Sequence, residues 1–232
     1  MIPLHDDNPT EITPIVTVGI ILVCALVFLY QASLPAEPGE LFVFQYGAIP
    51  AVVFGHAELP VVAVPPYATL LTSMFLHGGW MHLIGNMLYL WIFGNNIEDV
   101  MGHARFVLFY LLCGVLAALS HAVIDPSSTI PMVGASGAIS GVLGAYILLF
   151  PRAHVLVLIP AFGTARVPAG IVLGMWFATQ LLSGGMTVGT QGAGVAFFAH
   201  IGGFVAGMVL IGFFKRPEVP YFAPGRPRRW NV

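Results

Sequence analysis

Six long apolar runs, separated by short stretches rich in proline, glycine or charge, organise this chain: about 14–32, 72–97, 104–124, 134–150, 168–184 and 194–214. Each approaches the roughly 20 residues that a helix needs to cross the hydrocarbon core of a bilayer. The pattern predicts an all-α polytopic membrane protein, a bundle of six transmembrane helices. A β-barrel would show alternating segments of about ten residues, and none is visible. The first run is preceded by Asp6, Asp7 and Glu11 and by no cation. That is the wrong polarity for a cleaved signal, so the run is expected to be a retained helix. The loop 33–71 is itself apolar and carries Pro35, Pro38, Pro50, Pro60, Pro65 and Pro66. Non-helical backbone at membrane depth has to be covered by protein, so this first loop is expected to lie in or on the outer leaflet.

Composition agrees with that reading. Of 232 residues 58% are apolar and 8% charged, whereas a soluble domain carries about 25% charged residues. All eight cations, Arg105, Arg152, Arg166, Lys215, Arg216, Arg226, Arg228 and Arg229, fall at alternate ends of the runs. The positive-inside rule then places both termini in the cytoplasm. The expected organisation is a tail over 1–13, a membrane domain over 14–214 and a basic tail over 215–232. A basic tail beside a membrane span reads as a topology signal touching anionic lipid, and no nucleic-acid partner is expected. Cys24 and Cys113 lie in apolar runs without metal or disulfide spacing, and read as buried thiols.

Against this apolar background a few polar residues stand out. Ser136, in Gly134-Ala135-Ser136-Gly137, lies sixteen residues before Arg152, and His200, in Ala199-His200-Ile201-Gly202-Gly203, fifteen before Lys215. At about 1.5 Å per residue both side chains sit roughly 22–24 Å above the same cation-marked interface. His82, with Asn86 one turn on, lies sixteen residues before Glu98 and shares that height. From Ser136 to Phe150 the helix is only about 22 Å long, so Ser136 is expected to open it from a submerged loop kept non-helical by Pro131 and Gly134. Unpaired backbone donors and a favourable macrodipole at a helix start suit an oxyanion.

The chemistry these groups suggest is hydrolysis by an activated serine. Ser136 is the candidate nucleophile and His200 the candidate general base. The Ser136 N–H, His82 and Asn86 are candidate oxyanion donors. Runs four and six contain no Asp or Glu, so a Ser–His dyad is expected, with imidazole orientation left to packing. Gly137, Gly141 and Gly144 on run four and Gly203 and Gly207 on run six are spaced for close helix contact, which would bring the pair together. A metal site is not expected, because His82 and His200 have no carboxylate or thiolate at their level, and no cofactor is implied.

His82-x-x-x-Asn86, Gly134-Ala135-Ser136-Gly137 with Gly141 and Gly144, and Ala199-His200-x-x-Gly203-x-x-x-Gly207, in this order, resemble the rhomboid intramembrane serine proteases of the six-helix bacterial type, over roughly 40–215. The resemblance implies the same roles for Ser136, His200, His82 and Asn86. It also implies a water-filled cavity open to the outside, lateral entry of single-span membrane-protein substrates, and residence in a bacterial inner membrane in contact with lipid. Two departures are visible. The first loop has no Trp-Arg pair, and Ser140 stands where an aromatic often follows the nucleophile. The readings that compete with a protease are a non-catalytic relative that binds membrane proteins and a small transporter or channel. A transporter would distribute polar groups through the whole thickness, whereas runs four and six are almost purely apolar below Ser140 and His200.

Overall fold

A computed structural model describes residues 1–58, 63–187 and 197–223. Arg226, Arg228 and Arg229 of the basic tail, and residues 194–196 of the sixth run, lie outside the described residues. In chain order the elements are β1 (Ile2–Asp6), α1 (Ile15–Ser33), α2 (Ala36–Tyr46), α3 (Pro50–Val53), α4 (Thr69–Thr72), α5 (Trp80–Tyr89), α6 (Asn95–Met101), α7 (His103–Ile124), α8 (Ser136–Leu149), β2 (His154–Ile159), β3 (Gly163–Pro168), α9 (Ala169–Thr187) and α10 (Phe197–Phe214). The chain is a mostly helical, multi-pass membrane protein. Among the described residues α1, α7, α9 and α10 are long and apolar enough to cross a bilayer, while α8 is shorter.

The second run is not the single helix expected over 72–97. A 3-10 turn over Ser73–Phe75 follows α4, and α5 starts only at Trp80. Gly78-Gly79 is the reason for the break, since glycine is the poorest helix former after proline. A π turn at Leu90–Gly94 then joins α5 to α6. The first loop is also more ordered than its prolines suggest. It carries α2 and α3, and Ala48 pairs with Met132 through two backbone hydrogen bonds, tying this loop to the segment that leads into α8.

At the core α8 is enclosed by α7 and α10, with Phe106, Phe109, Tyr110, Leu143 and Tyr146 fully buried. The glycines set the distance between α8 and α10. A methyl group on Gly203 would overlap the Gly137 carbonyl oxygen, one on Gly207 that of Gly141, and one on Gly144 that of Phe204. Small residues thus allow these two helices to meet backbone to backbone. Both cysteines are free and buried.

The N-terminal stretch and residues 151–168, expected as tail and loop, instead build a three-stranded antiparallel sheet in the order β1-β2-β3. Val155, Val157 and Val167 favour the extended, pleated surface, and Val155 and Val157 are fully buried. The β2–β3 hairpin turns through Ala161 and Gly163, both with positive φ. Next to this sheet the buried Glu98 carboxylate accepts hydrogen bonds from the Val16 N–H (2.9 Å), the Thr17 N–H (2.8 Å) and the Thr17 hydroxyl (2.7 Å), with His103 Nδ1 2.6 Å away. It caps α1, whose own N-cap position is Pro14 and supplies no side-chain acceptor. An anion at a helix start also meets the macrodipole favourably. Asp99 accepts from the Glu11 and Ile12 N–H groups, and Arg216 donates to the carbonyls of Asp99 and Val100. These contacts bring α1, α6 and α10 to a common end.

Asp6, buried at the end of β1, accepts a 2.6 Å hydrogen bond from the Tyr146 hydroxyl. Burial pushes its carboxyl from the ordinary 3.8 up to about 7, against the lowering pull of Tyr146, and the neighbouring Asp7 charge adds to the rise. Between those two values the folded chain keeps a proton that the unfolded chain has released. The site therefore favours folding most below about 4 and loses that contribution as pH rises through about 7. Asp6→Asn mimics the protonated form at every pH. Thermal unfolding in detergent is expected to show the wild type falling relative to Asp6→Asn between pH 5 and pH 8. A gap of about 2 °C or more is the shift that roughly 1 kcal/mol gives a chain of this size. A constant gap across that range would remove the protonation argument.

Candidate active site

At the end of the bundle opposite the sheet the chain passes from the Met132 pairing into α8. Gly134 adopts φ +124°, a conformation that side chains resist, and its N–H is held by the Ser73 carbonyl at 2.9 Å. The helix opens at Ser136. As its first residue, Ser136 presents a backbone N–H with no intrahelical acceptor. Ser140 does not contribute a ring. Its hydroxyl donates back to the Ser136 carbonyl at 2.6 Å.

His200 lies in the first turn of α10, and its Nε2 is 2.8 Å from the Ser136 Oγ. The two residues, 64 positions apart in sequence, meet because α8 and α10 touch along their glycine faces. The other ring nitrogen is also engaged: His200 Nδ1 is 2.7 Å from the Gln180 Oε1. Trp176, one turn earlier on α9, packs its ring at 5.9 Å and 38° to the imidazole. The orientation of His200 is therefore not left to packing alone, as the absence of acidic residues had suggested. A neutral amide from α9 holds it. Gln180 and its neighbour Thr179 interrupt an apolar helix, which is the mark they leave in the sequence, on run five rather than on runs four and six.

His82 and Asn86 share one face of α5. The Gly78 N–H donates to His82 Nδ1 at 3.3 Å. A neutral imidazole that accepts at Nδ1 carries its proton on Nε2, and that nitrogen lies 2.7 Å from the position a Cβ on Gly134 would occupy. Asn86 Nδ2 is 3.6 Å from the same point. Asn86 is buried, and this amide nitrogen has no hydrogen-bond partner among the described residues. Two N–H donors thus border one small space two residues before the serine. A third histidine, His77, lies close to this pair. It is fully buried, its ring 5.2 Å from that of His82, with its backbone clasped by the Gln31 amide. The break at 76–79 turns it inward. Among the described residues no three His, Cys, Asp or Glu side chains gather as metal ligands would.

The rhomboid domain model matches residues 66–217. The chain belongs to the rhomboid family. Among curated relatives, Rhomboid protease GluP of Bacillus subtilis is 33% identical over 174 residues, which is 74% of this chain and 31% of that protein. Rhomboid-related protein 2 of Mus musculus is 36% identical over 146 residues, 60% of this chain and 45% of that one. Putative rhomboid protease YdcA of Bacillus subtilis is 36% identical over 80 residues, 34% and 40% respectively. The chain thus spans less than half the length of these relatives. Rhomboid proteases are serine intramembrane proteases that act on membrane-protein substrates.

Proposed function

We propose that this rhomboid-family protein is an intramembrane serine endopeptidase that cleaves single-span membrane proteins in or near their transmembrane segments. The observation that carries the proposal is the 2.8 Å contact between His200 Nε2 and Ser136 Oγ at the start of a short, buried helix. His200 takes the hydroxyl proton as Ser136 attacks the scissile carbonyl, then returns it to the leaving amine. Water repeats the sequence on the acyl-enzyme. The Ser136 N–H, His82 Nε2–H and Asn86 Nδ2–H stabilise the oxyanion. Donors held in place in advance by the fold need little rearrangement as charge develops. The cation-bearing end, with both termini, faces the cytoplasm under this reading, and the catalytic residues lie toward the outer leaflet.

The test is cleavage of a purified single-span substrate by the full chain in detergent or liposomes, with products mapped by mass spectrometry. The expected outcome is one defined cut in or beside the transmembrane segment, unaffected by chelators. Stable binding without any cut would favour the non-catalytic alternative. The donor assignment has its own test. In Gly134→Ala the new methyl meets His82 Nε2 at 2.7 Å, so substrate cleavage is expected to slow by about 10²-fold, the usual effect of losing one oxyanion donor. The turnover number checks this; a rate within twofold of wild type in a folded variant would exclude the space above Gly134 from the oxyanion site.

A further inference from the structure

Four hydrogen bonds run in one direction across three helices. The Thr179 hydroxyl donates to the Trp176 carbonyl at 2.6 Å. Its oxygen lone pair therefore faces the Gln180 Nε2–H, 3.4 Å away. The other end of that amide, Oε1, faces His200 Nδ1 at 2.7 Å, and His200 Nε2 faces the Ser136 hydroxyl at 2.8 Å. The polarity of this chain decides the chemistry. A carbonyl oxygen can only accept, so with Oε1 toward the ring the proton sits on Nδ1 and Nε2 is bare. A bare Nε2 can take the serine proton. Were the amide reversed, its NH2 would donate to Nδ1, the ring proton would move to Nε2, and the imidazole would donate to Ser136 instead of accepting from it. The reversed amide would also set its carbonyl oxygen against the Thr179 oxygen, whose proton is already committed to Trp176.

We infer that Gln180 is the positioning residue of the Ser136–His200 pair: its amide oxygen holds the Nδ1 proton of His200 and so keeps Nε2 free for the serine, with Thr179 fixing which way the amide points. The inference rests on the proposed hydrolytic role of that pair and adds a third helix to it. Gln180 supplies no proton and touches no substrate; it selects the base-competent tautomer. A neutral acceptor does so without burying a carboxylate, which is costly at membrane depth. Trp176 and Gln180, four residues apart on α9, share one helix face and hold the imidazole from two directions.

The test compares wild type, Gln180→Leu and Gln180→Glu in the full chain, with kcat and KM for a single-span substrate measured separately. Leu removes the acceptor at similar volume, and kcat is expected to fall by about 10²-fold, within the range a general base contributes, with KM within about twofold. Glu keeps an acceptor at the same place and is expected to recover kcat to within about tenfold of wild type. Independently of turnover, ¹⁵N NMR of the wild-type His200 ring is expected to show a protonated Nδ1 and an unprotonated Nε2, and the Leu variant a mixture of tautomers. A Leu variant with wild-type kcat, a Glu variant no better than Leu, or a wild-type ring protonated on Nε2 would each overturn the inference. An inactive wild type, or an active Ser136→Ala, would instead overturn the hydrolytic reading, and the ring spectrum would still decide the tautomer.

Discussion

Replacing Ser136 by Ala is expected to reduce substrate cleavage by on the order of 10⁴-fold or more, with His200→Ala close behind and the double variant no worse than either. Nucleophile and base act as one unit, so their effects do not add. The hydroxyl is the only atom lost in Ser136→Ala, and its partner across the 2.8 Å contact remains. Folding should be unaffected, since the backbone contacts of Gly144, Gly203 and Gly207, rather than this hydroxyl, hold α8 against α10. Initial rates and the unfolding midpoint of the same preparation check both halves of the expectation. Wild-type cleavage by folded Ser136→Ala would remove the nucleophile assignment. A loss seen only for the serine variant would point to another base.

The second large effect concerns assembly of the bundle. In Gly207→Val the first added carbon overlaps the Gly141 carbonyl and stands 2.6 Å from the Gly141 Cα. Backbone cannot rotate aside as a flexible side chain can, so α8 and α10 must separate. A cost of about 3 kcal/mol or more is expected, at the upper end for overpacking, and cleavage should disappear with it because the catalytic pair straddles that contact. Gly19→Ala is the control: nothing lies within 4 Å of a Cβ placed there on α1, and an alanine in a helix interior is favoured by roughly 0.5–1 kcal/mol over glycine. Unfolding midpoints of the two variants should therefore move in opposite directions. Equal midpoints for Gly207→Val and wild type would show that the helices tolerate a wider separation.

The residues legible in the sequence are those whose polarity clashes with their surroundings. Ser136, His200, His82 and Asn86 each interrupt an apolar run, and counting helical rise from Arg152, Lys215 and Glu98 puts Ser136, His200 and His82 near one level, with Asn86 one turn deeper. The glycine faces were legible for a related reason: three- and four-residue spacing has few other uses in a membrane helix. Other features left no such mark. The β1–β2 pairing joins residues about 150 positions apart, as Asp6 with Val155, and neither strand alone announces a partner so distant. Glu98 looks like a simple boundary marker, because its role as a cap for α1 depends on a helix 81 residues away. Gln180 leaves a weaker mark, because an amide in an apolar run stands out less than a carboxylate, although a base that needs only an acceptor at Nδ1 is served by either.

The two contacts made by the imidazole differ in mechanical quality. Ser136 reaches it across interlocked main chains, whereas Gln180 reaches it from a helix much of whose surface is exposed, with Met175, Leu181, Leu182 and Met186 facing outward. Warming or a thinner bilayer should therefore disturb the aim of the ring well before it pulls nucleophile and base apart. Inactivation by such treatments should set in gradually, and reverse on return, at temperatures where the helices have not yet come apart.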